Sequence, residues 1–251
     1  MRTKLIAGNW KMYKTPDQTR DFFRAFVPLV EGHRDEIAIF PPYIDLHAAI
    51  DSVKGTNIKI GAQSVHWVDE GAFTGEISPL LLLAIGCTHA IIGHSERRQY
   101  FCETDDTVNL RLKAALEAGI IPIVCVGEVL QEREAGITED VLRRQCSRAF
   151  RTISVKKAAK MIMAYEPVWA IGTGKTATPE IAADAHAIIR DESAETFGHE
   201  FASQMRILYG GSVKPENAKA LMAETEIDGA LVGGASLDPN SFAAIVKYHD
   251  L

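Results

Sequence analysis

A closed parallel barrel of eight β/α units, an α/β fold forming one domain over residues 1–251, is what this sequence predicts. Three observations lead there. Short apolar runs alternate with longer amphipathic stretches from end to end, eight times, as in repeated βα units on a parallel sheet. Nearly every run is too apolar for a sheet with one wet face, so both faces have to be covered. Eight units also suit an open doubly wound sheet, but its phosphate turn would follow the first strand as GxGxxG. This chain has Gly8-Asn9-Trp10-Lys11 there, and its glycine pairs follow the seventh and eighth runs, where barrel enzymes often bind phosphate.

Along the chain, strand one is expected at residues 5–8, Leu-Ile-Ala-Gly. Thr15-Pro16 then opens a helix with a capping hydroxyl before a first-turn proline. The runs at 37–40 and 58–62 are strands two and three, and Ser78-Pro79 signals the next helix start. Strand four falls at 90–93. The stretch 105–118 carries Val108, Leu110, Leu112, Ala115 and Leu116 at roughly helical spacing, closed by Gly119. Strand five is expected at 121–126, and residues 128–153 follow as the longest helical candidate, strongly charged. Strand six, at 161–165, leads toward a helix begun by Thr178-Pro179. Strands seven and eight, at 207–210 and 230–233, complete the set, and Asp238-Pro239 starts the last helix with a capping carboxylate.

With 47% hydrophobic and 24% charged residues, the chain can bury a large core and lacks the signature of disorder. A formal net charge of −6, without any run of Lys or Arg, argues against a nucleic-acid surface. An anionic substrate therefore has to be held by a local site. Cys87, Cys102, Cys125 and Cys146 lie far apart with no CxxC pair and no metal-type spacing, and read as reduced thiols. The N-terminal apolar run is too short for a secretory signal, and no segment approaches the roughly 18 apolar residues of a membrane span. The expectation is a cytoplasmic protein with no membrane or nucleic-acid partner.

In a barrel the C-terminal ends of all strands open on one face, so residues remote in sequence converge there. Strand six delivers Glu166, followed by Pro167-Val168-Trp169-Ala170-Ile171-Gly172-Thr173-Gly174. Pro167 ends regular structure at once, and Gly172 and Gly174 permit a hinge, so the segment reads as a carboxylate with an apolar lid behind it. An ordinary βα connection is the alternative. Desolvation under such a lid would raise the basicity of Glu166 toward the range useful for proton abstraction. Strand one delivers Asn9 and Lys11, and strand four delivers His94, Ser95, Glu96, Arg97 and Arg98. Ser95 suits a helix cap, and Glu96 a pairing with Arg97, Arg98 or the lysine. Gly210-Gly211-Ser212 and Gly233-Gly234 offer backbone N–H groups that can approach an anion, and Gly172 adds another.

The segments Asn9 to Met12, Gly93 to Arg98, Ala164 to Gly174, Tyr209 to Ser212 and Leu231 to Ser236, in this order at successive strand ends, closely resemble the triosephosphate isomerase family, over almost the whole chain. The resemblance implies a TIM barrel. It also implies interconversion of dihydroxyacetone phosphate and glyceraldehyde 3-phosphate through an enediolate, in glycolysis and gluconeogenesis, without metal or organic cofactor. By the same resemblance Glu166 is the base and His94 the electrophile, acting in this family as neutral imidazole. Lys11 is the charge-stabilising cation with Asn9 beside it, and Gly172, Ser212, Gly233 and Gly234 hold the phosphate. The loop Gly71-Ala72-Phe73-Thr74-Gly75-Glu76 resembles the one that inserts into a partner subunit, implying a homodimer through Phe73-Thr74.

Other classes make different demands. Another phosphosugar barrel enzyme would share the glycine-rich end but need different acid/base groups. A glycosidase would pair Glu96 with Glu166 across a carboxyl separation of about 5 to 9.5 Å. A non-catalytic barrel would be expected to lose Glu166, His94 or Lys11, and all three are present.

Overall fold

The computed structural model describes residues 2–172 and 176–250. Its strands are β1 (Leu5–Asn9), β2 (Glu36–Phe40), β3 (Lys59–Ala62), β4 (His89–Ile92), β5 (Ile121–Val126), β6 (Ile162–Tyr165), β7 (Arg206–Tyr209) and β8 (Gly229–Val232). Each pairs in parallel with the next, and β8 returns to β1 in the register Leu5 to Gly229, which closes the barrel. All eight expected strands are present, shifted by at most one residue at either end.

Successive strand side chains point to opposite faces, and here both faces are apolar. One set, including Leu5, Ala7, Phe40, Ile123, Ala164 and Leu208, fills the barrel interior. The intervening set, including Ile6, Ile39, Ile92, Val124, Met163 and Ile207, packs outward against the helices. At the N-terminal mouth the interior rows end in charge, where the Arg206 guanidinium meets the Glu36 carboxylate at 2.5 Å. Extended by two residues past the opposite end, the same rows reach Asn9, Gly93, Gly127, Glu166, Gly210 and Gly233. Glu166 thus stands above the barrel axis among residues that take up almost no room.

The helix starts follow their capping signals. Thr15, Ser78, Thr178 and Asp238 each accept, through the side chain, the N–H three residues on. Gly119, at φ 89°, ends the Asp105–Ala118 helix as its left-handed cap. The single long helix expected at 128–153 is instead two, Leu130–Glu134 and Thr138–Phe150, with Gly136 between them at φ 72°. A glycine in that conformation breaks the ladder of N–H to C=O bonds, and the charged character of the segment concealed it. The longest described helix is Pro179–Phe197, at 19 residues. Among the described residues, no helix is long and apolar enough to cross a membrane.

Candidate active site

Glu166 is the first residue beyond β6, and its backbone is gripped on both sides. Its N–H donates to Val126 O at 2.8 Å, while the Gly210 N–H donates to the preceding carbonyl, Tyr165 O, at 2.7 Å. A Cβ on Gly127 would lie 1.8 Å from Glu166 O, and one on Gly210 would lie 2.9 Å from Glu166 Cγ. Neither neighbour can therefore carry a side chain while the carboxylate stays where it is. Only 1% of Glu166 is exposed. Its Oε2 accepts the Ser95 N–H at 2.9 Å, and its Oε1 faces His94 Nε2, also at 2.9 Å.

The pair determines its own protonation. Burial pushes the Glu166 carboxyl up, but His94, the Ser95 N–H and Lys11 together hold it below the usual carboxylate range. The raised basicity expected from desolvation is therefore not met in this state, because the partners outweigh burial. Burial works against a charged His94, and the Glu166 carboxylate more than offsets it, raising the imidazole above its ordinary value. The hydrogen bonds limit that rise. His94 Nδ1 accepts the Glu96 N–H at 3.2 Å and caps the Ser95–Tyr100 helix, so an imidazolium would have to give up this bond. The tautomer that satisfies both contacts carries its proton on Nε2, aimed at Glu166. Ser95 contributes its backbone N–H to Glu166, and the cap expected of its hydroxyl is supplied by His94.

Lys11 sits at φ 54°, an unusual conformation for a residue with a side chain. Two bonds hold the turn there: the Lys11 N–H donates to Asn9 Oδ1 at 3.0 Å, and Gln63 Nε2 donates to Lys11 O at 2.7 Å. The ammonium meets Glu96 Oε1 at 2.5 Å. Of the partners open to Glu96, the structure selects the lysine, since Arg97 turns to Glu103 and Arg98 to Asp105.

One cavity of about 260 Å³ brings the carboxylate, the imidazole and the ammonium together. Asn9, Lys11, His94 and Glu166 line one part of it, and Gly172, Ser212, Gly233 and Gly234 line another. Every site residue expected from the sequence is therefore on this cavity. A Cβ on Gly234 would meet nothing within 4 Å, and one on Gly233 nothing nearer than Lys11 Cε at 3.5 Å. The glycine end leaves open room beside exposed backbone, the shape an anion needs. Among the described residues, no three His, Cys, Asp or Glu side chains are placed to hold a metal ion.

The lid begins as expected, with Pro167 at φ −65° followed by a single 3-10 turn, Val168–Ala170. Gly172 takes φ 70°, and the distal hinge assigned to Gly174 lies outside the described residues. What the sequence did not disclose is the seat of this turn. Glu128, fully buried, accepts the Trp169 indole N–H at 2.8 Å and the Tyr165 hydroxyl at 3.0 Å, and pairs with Arg133 at 3.2 Å. Its carbonyl accepts the Val168 N–H at 3.1 Å. The Arg133 guanidinium lies 4.6 Å over the Trp169 ring. A signal was present, since Glu128 follows the end of β5 by two residues, as Lys11 follows β1 and His94 follows β4. In the sequence it merges with the charged stretch 128–153.

The chain matches the family model described as Triosephosphate isomerase over residues 4–249. It is 61% identical over 249 residues to the triosephosphate isomerase of Solibacter usitatus (strain Ellin6076), covering 99% of this chain and 100% of that protein. Against the triosephosphate isomerase of Geobacter metallireducens the identity is 54%, covering 99% of each. Against that of Caldanaerobacter subterraneus subsp. tengcongensis it is 51%, covering 99% and 100%. With a barrel that closes, a site that assembles and similarity running from end to end, this chain belongs to the triosephosphate isomerase family.

Proposed function

We propose that this chain, acting as one domain, interconverts dihydroxyacetone phosphate and D-glyceraldehyde 3-phosphate by proton transfer through an enediolate, a step of glycolysis and gluconeogenesis. The observation that carries the reading is the shared cavity. A buried carboxylate 2.9 Å from an imidazole nitrogen lines it together with an ammonium and an uncrowded glycine end. The substrate phosphate rests against Gly172, Ser212, Gly233 and Gly234, which leaves its two reactive carbons beside Glu166. Glu166 removes a proton from one carbon as the C–H electrons form the enediolate double bond, and returns a proton to the neighbouring carbon. His94 donates Nε2–H to the carbonyl oxygen as it gains charge and takes up the proton of the neighbouring hydroxyl as that oxygen becomes the new carbonyl, which restores the imidazole. Lys11, with Asn9 fixing its turn, stabilises the developing charge electrostatically.

To do this, Glu166 exchanges its present partners for substrate. Leaving the Ser95 N–H and His94 removes the main groups that lower its pKa, while burial, which raises it, remains. The departure of the carboxylate likewise removes the main groups that raise His94, leaving the smaller pull of the Glu96 carboxylate against burial, Lys11 and the Glu96 N–H, which favour neutral imidazole. Lid closure with water expelled therefore turns a weak base into a stronger one at the moment substrate is present. Isomerisation in D2O tests the proton-transfer character. Solvent deuterium on product carbon supports it, and unlabelled product that still forms at the wild-type rate in Glu166→Gln, as in an internal hydride shift, refutes it.

The same reading includes a homodimer through the Phe73-Thr74 loop, and a cytoplasmic location. Phe73 is 43% exposed, and the loops after β1 to β4 also leave Met12, Tyr13, Ile44, Tyr100 and Phe101 open to solvent. Apolar exposure on that scale favours a covering partner. Four unpaired thiols, three of them buried, suit a reducing compartment.

A further inference from the structure

Gly127, the residue between β5 and Glu128, has both of its backbone groups taken by a single side chain. Its N–H donates to Gln145 Oε1 at 2.8 Å, and its C=O accepts from Gln145 Nε2 at 3.1 Å. Gln145 lies on the Thr138–Phe150 helix, outside the barrel, and only 6% of it is exposed. The amide thus completes the edge of the sheet one residue past the last strand pairing, where no backbone partner remains.

What that peptide supports makes the contact matter. Gly127 is pressed against the Glu166 carbonyl so closely that a Cβ would lie 1.8 Å away, and its predecessor Val126 accepts the Glu166 N–H at 2.8 Å. Its successor is Glu128, which seats Trp169 and Tyr165. Gly127 therefore joins the mount of the carboxylate to the seat of the lid, and Gln145 is what holds it. We propose that Gln145 is a positioning residue: its bidentate amide fixes the Gly127 peptide, and through it both the reach of Glu166 and the seat of the lid. It touches no substrate and none of the glycine end. The proposal rests on the isomerase reading for its kinetic consequence, though the clamp itself does not.

Proton abstraction needs the base placed within a fraction of an ångström, whereas anion binding at the distant glycines does not depend on this peptide. Gln145→Met keeps length and volume but removes both hydrogen bonds. The expected result is a fall in kcat of about 10- to 100-fold, with KM and the inhibition constant of inorganic phosphate changed less than threefold. Gln145→Glu supplies a chemical signature. Its carboxylate still accepts the Gly127 N–H but repels the Gly127 carbonyl, and protonation restores the donor. Its kcat relative to the wild type should therefore rise as pH falls, and Gln145→Met should show no such recovery. Hydrogen exchange at the Gly127 amide should accelerate at least tenfold in Gln145→Met.

A folded Gln145→Met with kcat within twofold of the wild type overturns the proposal. So does a kcat ratio for Gln145→Glu that is flat with pH, or unchanged exchange at Gly127. A wild-type chain without isomerase activity would refute the functional reading alone, and the exchange measurement would still decide the clamp.

Discussion

The Trp169 indole N–H is bonded to the buried carboxylate of Glu128 at 2.8 Å, across 41 residues of sequence. The lid is thereby latched to the loop after β5 by a polar contact made with its largest side chain. A closing motion that draws Trp169 away from Glu128 breaks that contact, and the latch then sets part of the cost of closing. Trp169→Phe keeps a ring under Arg133 and removes the N–H. A hydrogen bond to a charged group contributes about 1.5 to 3 kcal/mol, and loss of one at this half-buried position should lower the stability of the latched state by about 1 kcal/mol or more. An anionic enediolate mimic should then bind the variant more tightly, because the latched state competes less well. Inhibition constants measured for both proteins check this, and weaker binding to the variant would contradict it.

The glycines of the site separate into two kinds. Gly127→Ala forces a methyl to within 1.8 Å of Glu166 O, and Gly211→Ala one to within 2.2 Å of the Tyr209 hydroxyl, so both should lose several kcal/mol of stability or fail to fold. Gly234 opens the Gly234–Leu237 3-10 turn, and Gly234→Ala, with no neighbour within 4 Å of the added methyl, should fold with stability within about 1 kcal/mol of the wild type. Its cost should appear in anion binding, since the methyl occupies the room the phosphate needs. Thermal unfolding together with phosphate inhibition constants distinguishes the two kinds.

Lys11 pairs with Glu96 at 2.5 Å and lines the cavity shared by His94 and Glu166, where its charge can meet negative charge developing on the substrate. Lys11→Met should lower turnover by about 10²-fold or more, as for other preorganised charge stabilisers. Steady-state kinetics of the variant, with phosphate inhibition as the control for folding, measure it.

Acid should destabilise the fold earlier than carboxylate titration alone would require. His186 is fully buried against the Tyr165 ring, donates Nδ1–H to the Glu226 carbonyl at 3.0 Å, and is pushed down by burial to about 4 from 6.5. Between those values the unfolded chain binds a proton at this residue that the native chain refuses. Stability must therefore fall as pH falls from 6.5 toward 4, by up to about 1.4 kcal/mol per pH unit. His186→Gln should flatten that slope in urea midpoints taken across the window, and an unchanged slope would contradict the assignment.

Much of this was legible in the chain. The strands were, because a barrel wall buried on both faces leaves apolar runs that nothing else in the sequence imitates, and the helix starts were, because Thr15, Ser78, Thr178 and Asp238 cap through local bonds. The site residues were placed together by topology, since strand ends converge in a barrel whatever their separation. What escaped was set by contacts that only the folded state creates. Glu128 is indistinguishable in the sequence from the rest of the charged stretch 128–153, because its partners Tyr165 and Trp169 lie 37 and 41 residues away. The low proton affinity of Glu166 depends on His94 and on the Ser95 N–H, which is 71 residues away along the chain. The split at Gly136 was local and readable, and was masked by the charge of its flanks.

The central claim is that Glu166 moves the proton. Turnover of glyceraldehyde 3-phosphate in a coupled assay, with wild type and Glu166→Gln compared at matched phosphate affinity, tests it most directly. The account predicts an active wild type and a variant slower by about 10²- to 10⁴-fold that binds inorganic phosphate as before. A Glu166→Gln protein within a few-fold of wild-type turnover would contradict it.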